Sequence, residues 1–549
     1  MGALPPPSGE ATPGKGKGLL SWEEPPPERD CGRYDGGLRY LIGGKLRSWD
    51  GPSQEVFSPI HTRIDGVLKR RSLGPCALLS PETAKESVAA AVKAFDKGRG
   101  AWPTATPAER ILAMSRFLDR MEAKRFQVAR LLCWEIGKPW ADSLQEFDRT
   151  VAYGRDTLEA LKELDRNSSR FAMDGGFLAQ IRRSPFGVAL CMGPFNYPLN
   201  ETFTTLLPAL VMGNSVILKL PRVGMLCNMP LLGAFAESFP PGVVNVILGE
   251  GSKIVGPIME SGEVDLLAFI GSAKVANILN QKHPRPNRLR SVLGLGAKNA
   301  AIVLKDADLS NATKECAAGA LTFNGQRCTA LKIIFVQQPL AEKFLAGLCA
   351  EIAKLKSGAP FSDAVALTPL AEDGAVERMS AYVADAVERG ARVVNPGGGE
   401  TDRTYFHPAV VYPVRPGMKL YDEEQFGPIV AVASFNDPNE VLEYLAASPF
   451  GQQASLFGKD PSVVGPLVDA LVNQVCRVNL NSQCRRGPDT YPFGGRKDSA
   501  EGTLSVTDAL RVFSIRTLVA AKQSPEAADL IQEIVRGRHS RFLNTDYLF

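Results

Sequence analysis

Gly187-Val188-Ala189-Leu190-Cys191-Met192-Gly193-Pro194-Phe195-Asn196-Tyr197-Pro198 is a short apolar run that stops at a turn. Its unbroken apolar character over so few residues suits a strand buried on both faces, and the Gly, Pro and Asn that follow are turn formers. Downstream the theme repeats. Helical stretches such as ETFTTLLPALV, LCNMPLLGAFAESF, SKIVGPIM and SAKVANILN alternate with the short runs SVILKLP, VVNVILG, DLLAFIG and RLRSVLGLG. Strand and helix exchanging at this period predict βαβ units, whose right-handed crossovers build a parallel sheet of the nucleotide-binding style. A second alternating stretch begins at Asn299 with NAAIVL. It continues through a helical segment ending near Asn324, LKIIFVQ, a helix around Ala341 to Leu355, and later VAVASF and VCRVNLN. The fold class is therefore α/β, with two such domains in series.

Upstream, two helix starts are written out in Ser80-Pro81-Glu82 and Thr106-Pro107-Ala108-Glu109, each a capping hydroxyl before a proline. The second also carries Glu at the capping-box position. Ile111, Met114, Phe117, Leu118 and Met121 then recur at helical spacing, and helices are expected as far as about Leu164. The first thirty or so residues are rich in Pro and Gly and poor in large apolar side chains, so they read as a flexible tail, with the fold beginning near Tyr40. After Gln523 a helix and an irregular end are expected.

Composition narrows the class. The chain has 549 residues, 44% hydrophobic and 22% charged, with Lys+Arg 63 against Asp+Glu 59. That is a globular protein of several domains, with no basic block that would recommend nucleic acid or an acidic membrane. No apolar run reaches the roughly 18 residues of a membrane helix. The N-terminus lacks an apolar signal core, and Pro6 breaks the myristoylation pattern that Gly2 begins. Ten cysteines without a CxxC pair or a disulfide framework point to a reducing compartment, most simply the cytoplasm, and no metal set is expected.

Three constellations have chemistry to offer. Cys328 in Gln326-Arg327-Cys328-Thr329 lies between a helical run and a strand, where a thiol is presented and the adjacent Arg327 favours the thiolate. For an arbitrary cysteine, packing as a small buried hydrophobe is the commoner outcome. Asn196 follows the first parallel strand, where ligands bind and an amide can donate to a developing oxyanion, although Asn is also an ordinary turn residue. Lys219 and Arg222 end the strand SVILKLP. A cation there, with no acid, suits a 2′-phosphate, and a solvated surface pair is the alternative. No GxGxxG fingerprint is present, so any dinucleotide is held without the usual glycine turn.

In order, PFNYP, the Lys219 strand, Gly271-Ser272, GLGAKN, GQRCT and EEQFGP resemble the aldehyde dehydrogenase superfamily, from roughly Leu38 to Val519. The resemblance implies Cys328 as nucleophile, Asn196 as oxyanion donor, Lys219 on the cofactor ribose and Ser272 next to the cofactor phosphates. Gly271 belongs to the same phosphate turn, and Glu424 and Phe426 fall on the nicotinamide ribose and ring. FNYPLN, NGQRCTA and RRGPDTYPFGG are similar to the NADP-dependent, non-phosphorylating glyceraldehyde-3-phosphate dehydrogenases. That likeness implies NADP, with Arg222 where NAD-preferring relatives commonly carry Glu. It also implies a phosphate held by Arg149, Arg327 and Arg486 with Tyr197 near the substrate, a role that suits converging guanidinium groups. The implied organisation is a tail over 1–36, an NADP-binding domain over 37–296 with an oligomerisation hairpin at 168–183, and a catalytic domain over 297–495. A return segment and oligomerisation strand over 496–522 and an extension over 523–549 complete it. Family members assemble as dimers or tetramers.

One position departs from the pattern. Gly294 in Leu293-Gly294-Leu295-Gly296-Ala297-Lys298 stands where the family carries a general-base Glu. Loss of such a base typically costs ~10²–10⁴ in rate. Hydride transfer from a Cys328 hemithioacetal survives that loss, and hydrolysis of the thioester is the step affected. The expected reaction is oxidation of glyceraldehyde 3-phosphate to 3-phosphoglycerate. A CoA-acylating semialdehyde dehydrogenase and a degenerate NADP-binding scaffold are the alternatives.

Overall fold

The computed structural model describes residues 19–546, apart from 21 and 23. Helices Pro81–Phe95 and Pro107–Glu122 start where the capping residues place them. Ser80 Oγ accepts from Thr83 N at 3.2 Å, and Thr106 and Glu109 form a full capping box. Met114, Phe117, Leu118 and Met121 are buried and Ile111 is half-buried. Phe117 stacks on Phe235 at 4.4 Å, which fixes this helical layer to the nucleotide-style domain. Helix Arg125–Ile136 and the long helix Trp140–Ser168 complete the layer.

Eight strands make the first sheet, in the order Lys45–Ser48, Arg39–Ile42, Val244–Ile247, Ser215–Lys219, Val188–Met192, Leu266–Ile270, Arg290–Gly294 and Ala500–Glu501. The five central strands are parallel. All residues of Val188–Met192, Ser215–Lys219 and Leu266–Ile270 are buried, as the continuous apolar runs require of strands covered on both faces. Chain order runs outward one way from Val188–Met192 and then resumes on its other side. The end of that strand is thus a topological switch point, where α/β folds open a crevice.

The second sheet has seven strands, in the order Arg392–Val393, Ala409–Tyr412, Ile429–Phe435, Leu331–Gln337, Asn299–Val303, Gln453–Phe457 and Arg477–Leu480. Ala300, Ile302, Ile333 and Phe335 pack into one core, and Ala301, Val303, Ile334 and Val336 into another. Alternate side chains thus fill the two faces, the period of a strand. Crossing from one sheet to the other takes only the segment between Gly294 and Asn299. The C-terminal edge of the first sheet therefore confronts the N-terminal edge of the second, where Cys328 precedes strand Leu331–Gln337.

The structure corrects the reading of the tail. Residues 1–18, 21 and 23 lie outside the described residues, but the stretch from 24 to 36 is packed. Arg29 Nη1 donates to Phe361 O at 2.6 Å and pairs with Asp363 at 2.8 Å, while Trp134 Nε1 donates to Arg29 O at 2.8 Å. A few directed bonds hold a segment that has little apolar surface to bury. Between Ser53 and Ala77 an antiparallel pair, Ser53–Ile64 with Val67–Ala77, was not expected; Pro59 and two register shifts interrupt its period. A separate three-stranded sheet joins Ser514–Lys522, Phe177–Pro185 and Phe171–Asp174. Helix Pro525–Arg536 follows it.

Candidate active site

All twelve residues singled out above line one cavity of about 1080 Å³ between the two sheets. Asn196 arrives on the turn after Val188–Met192. The buried Lys138 donates from Nζ to Asn196 O at 2.8 Å, and Glu146 accepts from Leu199 N and Asn200 N, both at 3.1 Å. Lys138 and Glu146 also pair with each other, so the turn is pinned from the helical layer. Lys138 Nζ lies 3.6 Å from the centre of the Tyr197 ring. Asn196 is 5% exposed, and its Nδ2 donates to Gln326 O at 2.7 Å, which ties it to the loop that carries the thiol.

That loop is held under strain. Phe323 and Asn324 adopt φ of 49° and 53°, a region that costs a bulky residue about 1–3 kcal/mol. Asn324 is fixed there by bonds to Thr368 O and Oγ1 at 2.9 and 3.0 Å. Gly325, at φ +68°, leaves room for Gly427 O, which a Cβ would meet at 2.6 Å. The next residues carry Cys328 into the cavity, and Asn299 Nδ2 donates to Cys328 O at 2.7 Å.

Burial pushes the Cys328 thiol up to about 11, with the carboxylates of Glu201 and Glu424 adding to the rise. Arg486 and a hydrogen bond from Gln452 oppose it. Arg327 Nη2 donates to Gly319 O at 2.9 Å, and Arg486 is the guanidinium that most opposes the rise.

Arg149 and Arg486 converge as expected, but onto carboxylates. Arg149 grips Asp489 through two bonds of 2.7 and 2.8 Å. Arg486 bonds Asp489 at 3.2 Å, Leu504 O at 2.9 Å and the carboxylate of Glu201. Two guanidinium groups face two carboxylates, so the cluster is balanced. Arg327 has no acid partner among the described residues, and its Nε is buried without a hydrogen bond. An incoming anion would therefore meet Arg149 and Arg486 already paired with acids. Glu201, Asp489 and Gln452 went unnoticed in the sequence, because pairings this distant along the chain leave no local signal.

On the cofactor side, burial lowers Lys219 to about 8. It is 5% exposed and its ammonium makes no hydrogen bond among the described residues, a donor set aside for a ligand. Arg222 is exposed and has no acid partner there. Ser272 caps helix Ala273–Lys282, accepting from Val275 N at 3.4 Å, and the helix N-terminus faces the cavity behind Gly271. Such a terminus suits phosphate. Phe426 meets Phe195 edge-on at 5.7 Å, and Lys332 Nζ sits 4.5 Å from the Phe426 ring centre. Glu424 Oε1 is buried without a hydrogen bond, 3.9 Å from Lys332; burial raises Glu424 and lowers Lys332. Gly294 leaves the position of the family base empty, where a Cβ would meet Ile270 and Leu504 side chains at 3.3 and 3.5 Å.

The aldehyde dehydrogenase family matches residues 65–518. An NADP-dependent glyceraldehyde-3-phosphate dehydrogenase of Streptococcus equinus is 32% identical over 462 residues, covering 82% of this chain and 92% of its own. A 3-sulfolactaldehyde dehydrogenase of Priestia aryabhattai is 29% identical over 441 residues, covering 79% and 90%. The crystal structure of NADP-dependent glyceraldehyde-3-phosphate dehydrogenase from Bacillus halodurans C-125 complexed with NADP superposes with a TM-score of 0.81 at 27% identity, over 90% of this chain and 100% of that one. With the cavity, the nucleophile loop and the match over most of its length, this chain belongs to the aldehyde dehydrogenase family.

Proposed function

We propose that the protein oxidises glyceraldehyde 3-phosphate to 3-phosphoglycerate with NADP, without inorganic phosphate. The observation that carries the reading is the meeting of Cys328, Asn196 and the arginines 149, 327 and 486 on one cavity. NADP is the cofactor. Lys219 and Ser272 would hold its ribose and phosphates, Arg222 its extra 2′-phosphate, and Glu424 and Phe426 its nicotinamide end; bound there, it accepts the hydride. Cys328 forms the bond to the aldehyde carbon. Asn196, which keeps one N–H of Nδ2 on Gln326 O, gives the other to the oxygen that becomes negative. The acyl group then rests on Cys328 as a thioester. Arg327, without an ion-pair partner among the described residues, helps to hold the anionic end of the substrate. Arg149 and Arg486 reach it by sharing their forks with Asp489 and Glu201. The ten free thiols fit a reducing compartment such as the cytoplasm. Among the described residues no helix is long and apolar enough to cross a membrane.

Gly294 gives specific support to a second reading, in which the thioester passes to CoA. One experiment separates the two: NADPH formation from glyceraldehyde 3-phosphate in phosphate-free buffer, with and without CoA. Steady NADPH production without CoA is expected, and Cys328→Ser abolishes it. Turnover that requires CoA establishes the second reading, and NADP binding with no turnover on either arm refutes both.

A further inference from the structure

We infer that Glu201 is the general base that releases the acyl group, taking over the role that Gly294 cannot perform. The inference rests on the thioester at Cys328 in the reading above. Three acids line the cavity: Glu201, Glu372 and Glu424. Glu372 pairs with Arg378 at 3.0 Å and Glu424 lies on the nicotinamide side beside Lys332. Glu201 stands on the first turn of helix Asn200–Val211, five residues after Asn196, and is 7% exposed. Arg486 holds one oxygen, Oε2, while Oε1 takes no hydrogen bond among the described residues. A carboxylate fixed at one oxygen and open at the other is a base with a defined direction.

Leu504 connects this carboxylate to the vacant position. Its side chain is what a Cβ at Gly294 would touch at 3.5 Å, and its carbonyl accepts from Arg486 Nη2 at 2.9 Å, the same guanidinium that holds Glu201. The base has thus moved from the strand end to the facing helix within one neighbourhood. Among the charges acting on Cys328, that of Glu201 is the largest.

The step balances as a hydrolysis. Glu201 takes a proton from water as the water oxygen bonds to the thioester carbon. The C–S bond then breaks with its electron pair returning to sulfur, and the proton on Glu201 passes to the thiolate or to solvent. The products are the acid and free Cys328.

The test acylates Cys328 without hydride transfer. 4-Nitrophenyl acetate loads the thiol directly, so the release of nitrophenolate reports acylation as a burst and deacylation as the steady phase. Wild type should turn over steadily. Glu201→Gln should keep a burst of one per site and lose roughly 10²–10⁴-fold in the steady phase, the usual weight of a positioned base. Glu201→Asp, which keeps charge on Arg486 and withdraws it by one methylene, should show the same split. Adding Gly294→Glu to Glu201→Gln should restore the steady phase, since a Cβ there needs only a few tenths of an ångström from Ile270. A steady phase unchanged in Glu201→Gln, a burst lost together with it, or a wild type that never leaves the burst overturns the inference. Failure of glyceraldehyde 3-phosphate to yield NADPH leaves this ester assay intact, so the two ideas fail separately.

Discussion

At the scale of the residue, Cys328, the nucleophile of the proposed reaction, is kept as a thiol by its surroundings. Burial and two carboxylates hold its proton, and Arg486 offsets them only in part. Its alkylation by iodoacetamide should therefore climb with pH toward about 11 rather than level off near neutrality. Glu201→Gln removes a negative charge and should accelerate alkylation at pH 8, on the order of 3- to 10-fold. The sign is informative: were Glu201 the group that ionises the thiol, the same substitution would slow the reaction. At this scale the motifs were readable and their charges were not. GQRCT announces a presented cysteine, but no local pattern says that Arg327 will bond Gly319 O or that Arg486, far along the chain, will act on the thiol. Glu201 and Asp489 escaped for the same reason, each being an ordinary acid until the fold sets it on an arginine.

Elements were legible where short-range chemistry decides them. Ser80, Thr106 and Glu109 announce their helices because caps act within one turn, and buried parallel strands announce themselves as unbroken apolar runs. The pair Ser53–Ile64 with Val67–Ala77 was not legible, since Pro59 and the register shifts erase its alternation. Strand Ser215–Lys219 carries a prediction of its own. It ends by delivering Lys219 into the cavity, where Arg222 and burial lower its proton affinity and Cys76 is the other titratable neighbour. Unfolded or solvated lysine holds its proton to about 10.4, so the buried one is neutral over a window starting near pH 8. An anionic cofactor favours the cation. NADP affinity should accordingly be level below pH 8 and weaken above it, by up to about tenfold per pH unit. Lys219→Met should bind more weakly at pH 7 and lose the bend, as isothermal titration across pH 6.5–9.5 would reveal. A bend that persists in Lys219→Met assigns it to another group.

At the scale of the whole molecule, the sheet of Ser514–Lys522, Phe177–Pro185 and Phe171–Asp174 leaves one apolar face uncovered. Its central strand shows why. Gln180 and Arg182 are buried beneath the chain's own C-terminal segment, Gln180 donating to Asn544 O at 2.6 Å and Arg182 to Asn544 Oδ1 at 2.7 Å, with Arg182 also paired to Asp165. Ile181, between them, must point the other way, and its cross-strand partner is Leu518. That face is open: Leu518 is 58% exposed and Ile181 36%. An apolar edge left bare invites pairing. One face of the strand is thus closed from within and the other awaits a partner, for which an identical chain supplies a matching surface under two-fold symmetry. Light scattering should give the wild type the mass of a dimer or tetramer. Leu518→Lys with Ile181→Lys sets two charges on that face and should reduce the particle to a monomer of 59.2 kDa while leaving Gln180 and Arg182 under the tail. Cys328 lies between the two large sheets of one chain, so the monomer should retain the ester burst. A wild type that is itself monomeric, or a doubly substituted protein of unchanged mass, would assign the open face to some other contact.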